Sequence, residues 1–225
     1  MHVEPPDRPL ISLKEFGIHY LMIVVSILTA IGLEEVLRAH HNAESARAAE
    51  DSIERELKSN LADLREAIKG NRERLAELKG LGDQIAEMIR QGAGNPAVTQ
   101  KKVADEFLPK LSVGLVLPGP SREAWDVAVA SQAAGHIPRD KLEVYTSGYT
   151  VEREALVGAH SGMMVLDGPR MIDLRADAEI GPVEPRRILE LARESAAMNA
   201  TGLSNLVEAE KEMTRTLGKI GLHVE

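Results

Sequence analysis

The feature that most constrains this chain is the apolar run from Phe16 to Leu33, FGIHYLMIVVSILTAIGL, which holds no residue charged at neutral pH. A helix rises about 1.5 Å per residue, so a run of this size just crosses a bilayer core of about 30 Å. It reads as a transmembrane helix over residues 12–37, presenting Phe16, Ile18, His19, Tyr20, Leu21, Ile23, Val24, Ile27, Leu28, Ile31 and Leu33 to membrane lipid. A cleaved signal peptide is the competing reading, with Lys14 as its leading charge. No small-x-small site closes the run, because Ala30 would put the bulky Leu28 two residues before it, and the helical pattern continues through Glu34, Glu35, Val36 and Leu37. A retained anchor is therefore expected. Lys and Arg are nearly balanced on its two flanks, and the small remaining bias favours a cytoplasmic N-terminus with the rest of the chain in the periplasm.

Ahead of the span, residues 1–11 (MHVEPPDRPLI) contain three prolines and predict a short extended tail. Ser12 and Glu15 then stand at the spacing of a capping box. Behind the span, residues 38–225 are long enough to bury a real core. Aromatics are only 3% of the 225 residues, so that core must be built from Leu, Ile, Val, Ala and Met, a composition that suits packed helices. A net charge of −8 disfavours nucleic acid as a partner. The absence of cysteine excludes disulfides, thiolate metal sites and a cysteine nucleophile.

From Leu33 to Arg90 there is no proline, and Leu57, Leu61, Leu64, Ile68, Asn71, Leu75, Leu78, Gly82, Ile85 and Ile89 step alternately by four and three. This predicts one long helix with a buried seam, Asn71 and Gly82 being its defects and Gly70, Gly80 and Gly82 its weakest points. A self-associating coiled coil, and hence a homo-oligomer, is the alternative. QGAGNP at 91–96 stops the helix. Shorter helices are predicted from Thr99 to Phe107 and from Ser121 to Gly135, the second burying Trp125, Ala128 and Val129 on one face. The apolar segment from Leu111 to Pro120 reads as a buried connector. A further helix spans Asp140 to about Leu166, with Leu142, Tyr145, Tyr149, Glu152 and Leu156 on one stripe. After a DGPR turn and the linking segment MIDLRADAEIGPVEP, the last helix starts at Pro185 and runs to about Lys219. Its middle, SAAMNATG, is small-sided and would let the long first helix approach closely. The expected fold is all-α: a transmembrane helix continuous with a long helix, packed into an antiparallel bundle whose seam carries Leu57, Leu61, Leu64, Ile68, Leu75, Leu78, Ile85 and Trp125.

Two passages resemble a family of uncharacterised bacterial single-pass membrane proteins. One is MIVVSILTAIGLEEVLRAHHNAESARAAEDSIERELKSNLADL, a span leading straight into a helix. The other is PSREAWDVAVASQAAGHIPRDKLEVYTSGYTVER, with its Ser-x-x-Ala-Trp helix, glycine turn and Tyr-bearing helix. Glu34 to Leu37 replace a tryptophan often found just after the family's span. The resemblance implies topology only, and no activity; the expected location is the bacterial inner membrane.

The chemistry-bearing patterns are sparse. His40, His41 and Glu44 form HHxxE, with His40 and Glu44 on one helical face, yet zinc needs at least one more protein ligand than this stretch supplies. His19 inside the span offers a ligand for a tetrapyrrole or a hydrogen bond to another helix, and snorkelling to the headgroups is the favoured account. Glu34 and Glu35 read as a water-facing boundary. Ser26 and Ala30 make a small-xxx-small step. No GxSxG, SxxK, P-loop or GxGxxG stands in a fitting context, and Ser161-Gly162 lacks the strand-turn-helix setting of a nucleophile. No catalytic, cofactor-binding or metal residue is therefore assigned, and no cofactor is expected. The chain reads as a non-enzymatic membrane-anchored accessory subunit or assembly scaffold that meets other membrane subunits. The alternative is a membrane-anchored sensor or small-molecule-binding helical module, and an enzyme ranks last.

Overall fold

A computed structural model describes residues 13–92, 96–111, 114–166 and 169–222. The predicted tail, the Ser12 cap and part of the turns at 91–96 and 167–170 lie outside the described residues, as do the side chains of Ala159, Ser161, Gly162, Met163 and Leu166. Helix α1 runs without interruption from Leu13 to Gln91, 79 residues or about 120 Å. Strong helix formers and the lack of proline account for its continuity. The predicted weak points do not break it. A side chain added at Gly70 or Gly80 would meet open space, and Gly82 is covered by the Arg193 stem.

From Leu13 to His41 every residue of α1 except Val24 is exposed, and the first buried one is Ala46. Beyond it Ile53, Leu57, Leu61, Leu64, Ile68, Leu78 and Ile85 are all buried. The four-three stepping is thus the seam of a bundle rather than of a lone rod. Leu75 departs from the expectation, being only partly buried. The reason lies in α6 (Pro185–Gly218), which runs antiparallel to α1 and makes its most extensive contact. Arg65 pairs with Glu210, and Gly82 meets Arg193. That register sets Leu75 opposite the small-sided stretch around Ala200, which covers it incompletely.

Two core clusters result. In the first, Ile53, Leu57 and Leu61 of α1 pack with Leu206, Met213 and Leu217 of α6 and with Tyr145 and Tyr149 of α4 (Arg139–Leu166). In the second, Ile85 meets Val103 and Phe107 of α2 (Pro96–Phe107), Ile188 and Leu191 of α6, and Met171 and Leu174 of α5 (Pro169–Ile180). Helix α5 stands where the sequence predicts a linking segment. Gly-Pro pairs flank it on both sides, and Ile172 and Ile180 face solvent, so the apolar periodicity that would have announced it is blurred.

The predicted helix from Ser121 to Gly135 is shorter, α3 spanning Glu123–Ala130. Gln132 then takes a left-handed conformation (φ 64°) and a 3-10 turn covers Ala133–His136. Val129 is exposed rather than buried with Ala128. An eight-residue helix docked through Ala124, Trp125 and Ala128 leaves its flank in water. The small-sided middle of α6 does admit a close neighbour, but at Gly202 that neighbour is Leu115 of the connector rather than α1. A Cβ on Gly202 would lie 2.2 Å from Leu115 Cδ1.

Candidate functional site

Two asparagines of α1 fix the connector. Asn71 donates Nδ2–H to the Val116 carbonyl at 2.7 Å, and its Oδ1 accepts the Val116 N–H at 2.8 Å. Asn60 does the same to Ser121, at 2.8 and 3.0 Å. Each side-chain amide thereby replaces a peptide partner for a chain segment that has no ladder of its own. The spacing makes this possible. Asn60 and Asn71 are about three helical turns, or about 16 Å, apart on one face. Val116 and Ser121 are separated by about 16 Å of extended chain. Both clamps close together because the connector runs extended and antiparallel to α1.

At Asn60 the clamp merges with a polar cluster. Glu56, one turn earlier on α1, accepts the Ser121 hydroxyl at 2.8 Å and the Ala124 N–H at 2.9 Å on Oε2, and the Tyr149 hydroxyl at 2.5 Å on Oε1. Glu56 therefore caps α3 from another helix, while the Ser121 hydroxyl is 3.4 Å from the Glu123 N–H. Burial alone would raise the Glu56 pKa. The hydrogen bonds from Tyr149, Ala124, Ser121 and the Trp125 N–H outweigh it and hold this carboxyl below its ordinary value. Trp125 is only half-buried, its ring tilted against that of Tyr149 with centroids 5.8 Å apart.

Helix α4 climbs α1 in parallel through the same kind of contact. Lys141 pairs with Glu50 at 2.6 Å and with Glu54 at 3.6 Å, and Tyr145 donates to Glu54 at 2.7 Å. Burial, with Glu54 beside it, pushes the Tyr145 hydroxyl far above its usual range. One turn above Tyr149, the buried Glu152 accepts from Asn60 Nδ2 at 3.0 Å. Its other oxygen, Oε1, is buried with no hydrogen-bond partner among the described residues. Burial, followed by the negative charge of Glu56, pushes Glu152 up to about 7, against the lowering effect of the Asn60 bond.

Tyr149→Phe removes the donor to Glu56 Oε1. It should lower stability by about 1–2 kcal/mol at neutral pH, seen as a reduced thermal midpoint. The Glu56 contribution is present above its ordinary pKa of 4.5 and is lost as pH falls through its lowered folded value. The difference between wild type and variant should therefore shrink in acid. An unchanged midpoint at pH 7 would remove Glu56 from this role.

Among the residues singled out from the sequence, Leu57, Leu61, Leu64, Ile68, Leu78 and Ile85 lie in the bundle, and Trp125 borders the polar cluster. Phe16, Ile18, Tyr20, Leu21, Ile23, Ile27, Leu28, Ile31 and Leu33 are exposed on the free part of α1. His19 is turned back to its own helix, Nδ1 lying 2.8 Å from the Glu15 carbonyl. His40 Nε2 is 3.3 Å from Glu44 Oε1, both exposed, and among the described residues no group of three His, Cys, Asp or Glu is placed to hold a metal. Glu34 pairs with Arg38 at 2.8 Å. No protein family, curated protein or solved structure matches this chain. Glu56, Asn60 and Glu152 were not singled out as site residues. A sequence signal exists only for Glu152, a glutamate on the otherwise apolar stripe of α4; Glu56 and Asn60 lie off the four-three stripe of α1.

Proposed function

We propose that this protein is a membrane-anchored structural or accessory subunit, or an assembly scaffold, of a larger membrane complex. The supporting observation is the continuity of α1. The helix that carries the exposed apolar stretch also supplies the seam of the bundle. An uninterrupted helix of this kind holds a helical body at a fixed height above a bilayer, where it meets a neighbour. From Leu33 to Ala46 the helix rises about 20 Å. The bundle thus begins well beyond the headgroups, and exposed Val36 and Leu37 lie in the intervening stalk. A groove of about 470 Å³ between α1 and α3, lined by Ala48, Ala49, Ala124 and Val127, adds apolar surface near that end. The proposed setting is the bacterial inner membrane, with the bundle in the periplasm. The small bias of the flanking charges and the family resemblance are what support it.

Purification from native membranes in mild detergent should recover stoichiometric partner subunits. Ala43→Pro, in the exposed stalk, should leave the bundle folded while reducing that recovery several-fold, because proline interrupts the helix ladder locally. Recovery of a lone monomer from wild-type membranes would sink the proposal.

A second reading, a membrane-anchored sensor or ligand-binding module, draws support from the polar residues buried between the helices. Under it, a bound molecule changes the contact of α4 with α1, and the span transmits the change.

A further inference from the structure

Glu152 sits where α4, α1 and the connector meet. From α1 it is faced by Glu56 and Asn60, and Asn60 ties it to Ser121 of the connector, whose neighbour Arg122 lies 3.5 Å from Asp126. On its own helix its nearest titratable neighbour toward α1 is Tyr149, which is committed to Glu56. From α6, the register set by Gly148 against Leu217 and Gly158 against Asn205 brings Ala209 and Met213 to its level. Glu212 lies at the outer edge, paired with Arg215. No ion pair to Glu152 exists among the described residues. Its one hydrogen-bond donor is a neutral amide that also serves the connector.

Two carboxyls therefore share one corner on unequal terms, Glu56 half-buried and Glu152 buried. Glu56 has a hydroxyl on one oxygen and a hydroxyl and a backbone N–H on the other, so it keeps its charge. Glu152 has one donor and a bare buried oxygen. A neutral carboxyl is buried at far lower cost than a carboxylate, and a second negative charge beside Glu56 is disfavoured.

We propose that Glu152 is a proton-operated latch: with its carboxyl protonated α4 and the Asn60-clamped connector stay docked on α1, and loss of the proton loosens both. The inference does not depend on whether the bundle serves as scaffold or sensor. The direction follows from linkage. Glu152 is raised from 4.5 to about 7 in the folded protein. Its contribution is thus complete below its unfolded value and is lost as pH rises through about 7. A change in proton concentration on the side of the bundle then alters the grip of α4 and the connector on the anchor helix.

The test uses the full-length protein in detergent micelles, with thermal melting and the emission of Trp125, the sole tryptophan, which lies against Tyr149. Between pH 5 and 8 the wild-type midpoint should fall by about 5–10 °C, and the emission should shift with a midpoint near 7. Glu152→Gln, neutral and of the same shape, should abolish both changes and keep the low-pH emission at pH 8. Direct titration of the Glu152 carboxyl by carbon NMR keeps the question answerable if the variant fails to fold. A carboxyl that titrates near 4.5 overturns the latch, as does a Glu152→Gln protein that retains the full wild-type pH response. Rescue of the wild-type midpoint at pH 8 by millimolar calcium, absent in Glu152→Gln, would assign the corner to a metal ion and equally overturn it.

Discussion

Asn60→Leu is expected to destabilise the bundle by about 3–5 kcal/mol, more than its size suggests for one hydrogen-bonding side chain. The substitution adds apolar volume on a buried face, yet it leaves three groups without partners: the Ser121 N–H, the Ser121 carbonyl and Glu152 Oε2. Each orphaned buried polar group costs about 1–3 kcal/mol, and partial access of water to Ser121 reduces the total. Asn71→Leu is the internal comparison. It orphans only the two groups of Val116, which is 45% exposed, so about 1–3 kcal/mol is expected. Equilibrium unfolding in urea of both variants would rank them. A loss at Asn60 no greater than at Asn71 would show that the clamp and the carboxyl are not one unit.

Leu57→Ala should cost a similar amount, about 3–5 kcal/mol, for a different reason. Leu57 has no exposed surface and fills the point at which α1, α4 and α6 come together. The absent side chain of Gly148 allows that approach, since a Cβ there would lie 3.3 Å from Leu57 Cδ2 and 3.9 Å from Leu217 Cδ2. Truncating Leu57 opens a cavity that Gly148 has no atoms to fill. Gly148→Ala in the Leu57→Ala background should therefore recover part of the loss, whereas in the wild type it presses on Leu57. Strict additivity of the two substitutions would rule out this account.

The parts of the fold legible in the sequence are those written as long repeats. The apolar run, the four-three stripe of α1 and the stripe of α4 each extend over several turns, and periodicity of that length has one structural reading. The short pieces were not so written. Among its described residues helix α5 buries only Met171 and Leu174, with Ala178 partly covered, too few turns for a period to emerge, and α3 loses its last turn to the left-handed Gln132. The polar cluster was hidden for another reason. Asn71 reads as a defect in a stripe because its partner is a backbone, and a backbone leaves no mark on the sequence. Glu152 lies on the predicted stripe of α4, but only the packing of three elements deprives its Oε1 of a partner. Its companion Glu56 could be told apart from the other acidic residues of α1 only by the start of α3 beside it.

If the apolar run spans a bilayer as proposed, the uninterrupted course of α1 makes it a lever with its fulcrum there. From Leu33 to Gln91 the arm is about 87 Å long, and spanning helices tilt by about 20° on average. A change of only about 10° in the tilt of the span would sweep the far cluster around Ile85 and Phe107 sideways by about 15 Å, without altering a contact inside the bundle. Lipid thickness, one of the influences on that tilt, would then be transmitted as position. A neighbour bound at the far end would be reached in one membrane and missed in another by a protein whose fold is the same in both.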